Sequence, residues 1–257
     1  MSYDNDPDCL TDDQWARLAP LMPGGCKGKR GPRTNSRLFM DALLWMARSG
    51  ARWRDLPDRF GDYRTVKRRY YDWVERGVLT SIFRTLSEDG DFEWLSVDAT
   101  VIRAHQHASG ARKEKGGPDA QGLGRSKGGL GTKLHATTDS LGNPVNLIAS
   151  PGHRGEVLFG AALIENIPCG AVIADRAYDA EHFHDAILET GAIPVIPPRQ
   201  NRRRPHVCDW HLYKERNAIE RFFNKLKHFR RIATRYDKLL ANFMGFVTVG
   251  AIHLLIR

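Results

Sequence analysis

Four residues near the C-terminal end stand at a spacing that chemistry can use: Tyr213, Arg216, Glu220 and Lys227. The run from Tyr213 to Lys227 lacks proline and glycine, is rich in helix formers and carries Ile219, Phe222, Phe223 and Leu226 at helical spacing. It predicts a helix with one buried stripe. At about 100° per residue the four fall within roughly 60° of one another, so one face presents a carboxylate, two cations and a phenol. Taken alone, such a face is ordinarily the solvated side of an amphipathic helix. Two further acids change its meaning. Asp98 stands inside the β-branched run Val97-Asp98-Ala99-Thr100-Val101-Ile102, and Asp175 closes the short apolar run Ala171-Val172-Ile173-Ala174. A carboxylate within or at the end of a buried strand is costly unless it is paired or binds a metal, although each by itself reads as a structural acid. Facing Glu220, the two would form an oxygen-rich cage suited to Mg²⁺ or Mn²⁺. Two such ions can activate a water or a 3′-hydroxyl on one side of a phosphorus and stabilise the leaving oxygen on the other.

The elements that must position these residues follow from the pattern along the chain. Thr11 or Asp12 can cap a short helix with Trp15, Leu18 and Leu21 on its apolar face. A second helix runs from Arg37 to Ser49 and is ended by Gly50. A third, Tyr63 to Glu75, turns Val66, Tyr70, Trp73 and Val74 inward and leaves Arg64, Lys67, Arg68 and Arg69 outside. A short helix, a turn and a basic-faced helix are the ingredients of a helix-turn-helix; the plainer alternative is a helical scaffold with ordinary surface charge. A fourth helix spans Val78 to Leu86, and Ser87 to Asp91 forms a natural boundary. Residues 1–90 therefore read as a small all-α, helix-turn-helix-like domain and residues 91–257 as a second domain.

Beyond the boundary the texture becomes β-rich. A strand from Glu93 to Arg103 is followed by a Gly/Lys-rich loop, about Gln106 to Gly129, too polar to pack. Lys133–Thr138 and Val145–Ala149 form a hairpin. Then come a helix (Gly155–Ile167), a strand (Ala171–Asp175), a helix (Ala180–Thr190), a strand (Ala192–Ile196), a basic loop holding Arg202, Arg203 and Arg204, the helix of Glu220, and an apolar helix from Asn242 to Ile256. Three antiparallel strands followed by two parallel-wound ones give an α/β, ribonuclease H-like mixed sheet with flanking helices.

Composition points the same way. The 257 residues carry 39 Lys+Arg against 30 Asp+Glu, a formal charge of +9, which favours polyanionic partners. The excess is concentrated: residues 199–257 hold 14 Lys/Arg against 4 acids, and Lys27, Lys29, Arg30, Arg33 and Arg37 form a second basic run. The four cysteines are scattered and read as free thiols of a cytoplasmic protein. His206, Cys208 and His211 raise a zinc site but lack a fourth ligand at finger spacing. No apolar run of about 20 residues predicts a membrane span, and none resembles a signal peptide.

Asp98 in Val-Asp-Ala-Thr, Asp175 in Ala-Asp-Arg-Ala-Tyr-Asp, and Tyr213-x2-Arg216-x3-Glu220-x6-Lys227 together resemble the Asp-Asp-Glu transposases of bacterial insertion sequences. The last spacing matches the family's Y-x2-R-x3-E-x6-K signature at all four positions. Leu10-Thr-Asp-Asp-Gln-Trp15, Trp53-Arg-Asp-Leu-Pro57 and Arg103-Ala-His-Gln-His107 are similar to the insertion-sequence-five family. The resemblance implies a helical domain that binds the terminal inverted repeats, a ribonuclease H-like catalytic domain, and homo-oligomeric assembly on double-stranded DNA, both element ends and target. It also implies that Asp98, Asp175 and Glu220 carry two divalent ions. Arg216 and Lys227 would then neutralise phosphates near the cut, with Tyr213 on the backbone. His105 and His107 lie where a donor meets DNA, or are ordinary loop histidines. Asp139 and Asp179 read as turn and cap residues, and Trp210 reads as core packing rather than a stack for a displaced base. The activity expected is metal-dependent strand cleavage and transfer in the cytoplasm, on the nucleoid. The alternatives are a related nuclease that cuts without joining and a catalytically inert DNA-binding regulator.

Overall fold

The computed structural model describes residues 9–23, 35–111, 119–126 and 128–257. The first helix, α1 (Asp12–Leu18), is started by a capping box: Gln14 N–H donates to Thr11 Oγ1 at 3.2 Å and Thr11 N–H to Gln14 Oε1 at 3.1 Å. Asn35 caps α2 (Ser36–Ser49), which stops at Gly50 with φ 68°. A side chain at Gly50 would be strained by that φ and would crowd Arg230, 3.1 Å from its ideal Cβ. Asp62 caps α3 (Tyr63–Glu75), and α4 (Val78–Ser87) follows. Residues 50–62, which join α2 to α3, contain two 3₁₀ turns, Trp53–Asp55 and Asp58–Phe60. That connection is longer than the three or four residues of a DNA-binding helix-turn-helix.

The sheet is built from β1 (Trp94–Ala104), β2 (Gly124–Ser126), β3 (Gly129–Thr138), β4 (Pro144–Pro151), β5 (Ala171–Ala174), β6 (Ile193–Val195) and β7 (Thr234–Arg235). β1 is central, antiparallel to β3 and parallel to β5; β3 continues to β2 and β4, and β5 to β6. Three antiparallel strands followed by parallel ones is the ribonuclease H-like order expected from the sequence. The helices are α5 (Gly160–Ile164), α6 (Glu181–Glu189), α7 (Asn217–Lys227), α8 (Arg230–Ala233) and α9 (Leu240–Leu255).

Three segments depart from expectation. The helix predicted for Gly155–Ile167 is a 3₁₀ turn, Val157–Phe159, and the short α5, followed by Asn166 at φ 60°. The loop expected to be too polar to pack has an ordered part: Ala108, Gln121, Gly122 and Gly124 are buried, and β2 pairs with β3. Thr132 Oγ1 donates to Gly122 O at 2.8 Å, and the buried Arg235 guanidinium binds Gln121 O and Gly122 O, so backbone acceptors in this stretch are satisfied from the core. The helix expected from Tyr213 begins instead as a 3₁₀ turn, Leu212–Arg216, and becomes α-helical at Asn217.

Two apolar interiors flank the sheet. One, around Leu95, Val97, Val172, Ala174 and Tyr178, is covered by α5 and α6 through Leu163, Phe183 and Ile187. The other takes Ile102, Leu134 and Ala136 from the sheet, Ile219, Phe222, Phe223 and Leu226 from α7, and most of α9. That second interior is continuous with Leu18, Phe39, Leu43, Met46, Tyr70, Trp73, Leu79 and Ile82 of α1–α4. Helices on both sides of residue 90 therefore share one core. Among the described residues no helix is long and apolar enough to cross a membrane.

Candidate active site

Strand register brings the two aspartates together. β1 and β5 run parallel with Val97 opposite Ala174, so the next residue of each chain, Asp98 and Asp175, emerges at the same level. β5 leaves β1 there, and β7 joins it only at Arg103, which opens a gap in the sheet beside Asp98. Glu156, from the turn after β4, reaches the same two aspartates. Oxygens of Asp98, Glu156 and Asp175 lie within 4.8 Å of one another, the one such acid group among the described residues that is placed to hold a metal ion.

Each carboxylate is held. Asp98 Oδ1 accepts from Ala99 N–H at 2.7 Å, and its Oδ2 accepts from Arg216 Nη1 at 2.9 Å. Asp175 caps a 3₁₀ turn (Arg176–Tyr178), accepting from Ala177 N–H at 2.8 Å. Glu156 Oε1 accepts from Lys133 Nζ at 2.9 Å. Burial, above all, pushes the Asp98 carboxyl up to about 6; Ala99 N–H and Arg216 draw it down, while Asp175 and Glu156 push it further up. A divalent cation would relieve that crowding, and an all-carboxylate donor set suits hard ions such as Mg²⁺ or Mn²⁺. Tyr178 adds a second sign of a ligand. Its side chain is fully buried and its hydroxyl has no hydrogen-bond partner among the described residues. Burial, then the charges of Glu156, Asp98 and Asp175, raises its pKa, and the residue lies on the turn that Asp175 caps.

Glu220 is placed differently from its partners. It is exposed, stands outside the group of three, and pairs with Arg216, whose guanidinium thus bridges Glu220 to Asp98. Lys227 Nζ donates to Thr100 Oγ1 at 2.6 Å, two residues along β1 from Asp98. Tyr213 is half-buried, with the Arg216 guanidinium 6.0 Å from its ring centroid. The four residues of the spaced motif therefore do line one face, and that face is turned to β1.

The other sequence-predicted residues divide. Arg64, Arg68, Arg203, Arg204 and His107 are exposed, and Lys67 is half-buried with its ammonium 5.7 Å from the Tyr71 ring centroid. Arg202 is committed to the fold through ion pairs with Asp179 and Glu181. Arg69, expected outside, lies 4.2 Å from the Phe39 ring and donates to Ser36 Oγ. His105 stacks on Tyr236, with centroids 4.6 Å apart. Lys27, Lys29, Arg30 and Arg33 lie outside the described residues, and Arg37 pairs with Asp12 and Leu10 O. Asp139 is the turn residue expected, accepting from Leu141 and Asn143 N–H at 3.0 and 2.7 Å. Asp179 does not cap a helix; it is buried and pins Arg199 N–H at 2.7 Å. Trp210, expected in the core, is 58% exposed and edge-on to Tyr213. His206 stacks on His184, and Cys208 is buried with Ala171, Ile173 and Val195. Glu156, Lys133 and Tyr178 were missed. Tyr178 stands three residues after Asp175 in a motif already noted, but nothing in the sequence marks Glu156.

Residues 90–255 match the family described as "Transposase DDE domain", and residues 10–83 match "Putative transposase of IS4/5 family". "Putative transposase for insertion sequence element IS6501" of Brucella ovis (strain ATCC 25840 / 63/290 / NCTC 10512) is 44% identical over 131 residues, 49% of this chain and 98% of that protein. "Uncharacterized protein y4sN" of Sinorhizobium fredii (strain NBRC 101917 / NGR234) is 66% identical over 112 residues, 44% of this chain and 90% of that one. Among solved structures, the piggyBac transposase in a synaptic complex with hairpin DNA is 14% identical at a TM-score of 0.42. That match covers 76% of this chain and 48% of the solved one, so this chain spans about half its length.

Proposed function

Because this chain belongs to the transposase DDE-domain family, of the IS4/5 kind, and is thus a DDE-type DNA transposase, we propose that it binds the terminal inverted repeats of an insertion sequence and carries out strand cleavage and strand transfer. In this reading Asp98, Asp175 and Glu220 hold two Mg²⁺ or Mn²⁺ ions. The observation that supports it most is the register of β1 and β5, which sets Asp98 beside Asp175, with Glu220 joined to Asp98 through Arg216. When bound, such ions supply charge that activates the attacking oxygen and stabilises the leaving one. The protein supplies position. Arg216, Lys227 and Tyr213 line the face on which a phosphodiester backbone would lie, and Arg216 now neutralises two of the acids. Arg64, Lys67 and Arg68 on α3, with Arg203, Arg204 and His107, are the remaining groups proposed to meet DNA; Arg202 and His105 serve by holding their loops. Residues 1–90 would carry the preference for element ends and residues 91–257 the chemistry, in a homo-oligomer assembled on DNA in the bacterial cytoplasm.

The test is cleavage and joining of DNA carrying the element's ends. Asp98→Asn, Asp175→Asn and Glu220→Gln should each abolish both reactions in Mg²⁺ or Mn²⁺ and leave DNA binding nearly intact. A wild-type rate in any one of them removes that residue from the assignment.

A further inference from the structure

Of the three carboxylates nearest to forming a cation seat among the described residues, Asp98 and Asp175 belong to the expected triad and the third, Glu156, does not. We propose that Glu156 is a ligand of the first cation, forming with Asp98 and Asp175 a three-carboxylate seat present before DNA arrives, while Glu220 would serve the second cation. This rests on the metal-dependent reading above and adds a residue to it.

Geometry carries the inference. At the metal–oxygen distances of Mg²⁺, about 2.1 Å, oxygens across an octahedral shell are about 4 Å apart. Neighbouring oxygens of that shell are about 3 Å apart; the Asp98, Glu156 and Asp175 oxygens lie within 4.8 Å of one another, so the three must draw together for a cation to take them all. Glu220 is not in that group, and Arg216 holds it. The Tyr178 hydroxyl is the second sign: it is buried, has no hydrogen-bond partner among the described residues, and stands on the 3₁₀ turn that Asp175 caps. A buried hydroxyl without a partner is costly, and a carboxylate drawn in around a cation would supply an acceptor. Lys133 acts as a positioning residue. Its ammonium holds Glu156 Oε1 at 2.9 Å and Arg154 O at 3.0 Å, fastening the turn after β4 to β3. A salt link to a rigid strand is what an outer-shell partner does for a metal ligand.

The experiment is calorimetric titration of Mn²⁺ into the full-length, DNA-free protein, with the Mn²⁺-induced rise in melting temperature as a second readout. Wild type should bind, and Glu156→Gln should weaken binding by at least as much as loss of an outer-shell partner, on the order of 10–100-fold. Glu156→Asp, which keeps the charge but shortens the reach, should fall between them and decides the matter if the glutamine variant fails to fold. Asp98→Asn separates the two readings. Wild-type affinity in Glu156→Gln with loss in Asp98→Asn overturns the role of Glu156 alone. Wild-type affinity in both, or no DNA-free binding by the unaltered protein, overturns the preformed seat.

Discussion

Arg216 is shared between Asp98 and Glu220, and its removal should separate two effects that are usually confounded. Arg216→Ala leaves two carboxylates without their cation, so DNA-free Mn²⁺ binding should tighten while cleavage slows and DNA binding weakens. Lys227→Ala should weaken the DNA complex similarly across sequences and make its salt dependence shallower. Each lost phosphate contact is worth on the order of 1–3 kcal/mol. Alanine at Arg221 or Lys225, exposed residues outside the spaced motif, should cost less. Equal losses at all four positions in filter-binding and cleavage assays would reduce the face to a diffuse basic surface. Two buried histidines give a separate expectation. Burial, then Lys133, lowers His135 to about 4; burial, then Arg48 and Arg257, lowers His253 to about 3. Below the ordinary histidine value of about 6.5 the unfolded chain binds protons that the folded chain refuses. Stability is therefore full above that value and falls as the pH drops toward 4, by about 1.4 kcal/mol per pH unit for each group at most. His253→Gln should flatten that fall in urea titrations between pH 7 and pH 4.5. The residues legible beforehand were those whose type conflicts with their surroundings, an Asp among Val and Ile. Glu156 sits in a polar turn, where an acid raises no such conflict.

At the scale of elements, what the sequence showed was periodicity, and what it hid was the geometry of ends and turns. α2, α3, α4 and the β3–β4 hairpin fall within a few residues of expectation because their apolar spacing and caps are unambiguous. α7 misled at its start: Tyr213 to Arg216 has helical composition, yet Asp209 accepts from His211 and Leu212 N–H and tightens the chain into a 3₁₀ turn. Trp210 lies beside that turn and is left outside the core. The close approach of α9 to α3 was equally invisible. A Cβ on Gly245 would stand 2.4 Å from the Tyr70 hydroxyl and 2.6 Å from a Val74 methyl, and Tyr70 donates to Asn242 O at 2.5 Å. Gly245→Ala should force these helices apart. The expected loss is about 1–3 kcal/mol in urea unfolding, typical of overpacking and against the gain in helix propensity. An unchanged midpoint would mean that α3 and α9 are less tightly joined than this.

Across the whole molecule, the interior that α1–α4 share with α7–α9 fixes how its parts can be tested. A fragment of residues 91–257 would expose Phe222, Phe223, Phe243 and Phe246 to water, and exposing that much apolar surface should cost it cooperative folding. The full chain should unfold in a single calorimetric transition. Two well-separated transitions would show that residues 1–90 are independent after all. End preference is thus better tested by Arg64→Ala, Lys67→Ala and Arg68→Ala than by deletion. α7 lies at the centre of this arrangement, with Glu220 on its outer face and Phe222 and Phe223 on its inner one. Inheritance is constrained accordingly. Related elements that recombine their genes near codon 90 would join front helices to a back half whose cavities were shaped for other side chains, and most such hybrids would be lost. If α3 meets the DNA ends as proposed, divergence in the ends recognised should proceed by substitution at its exposed positions, while the paired interiors drift together as one inherited unit.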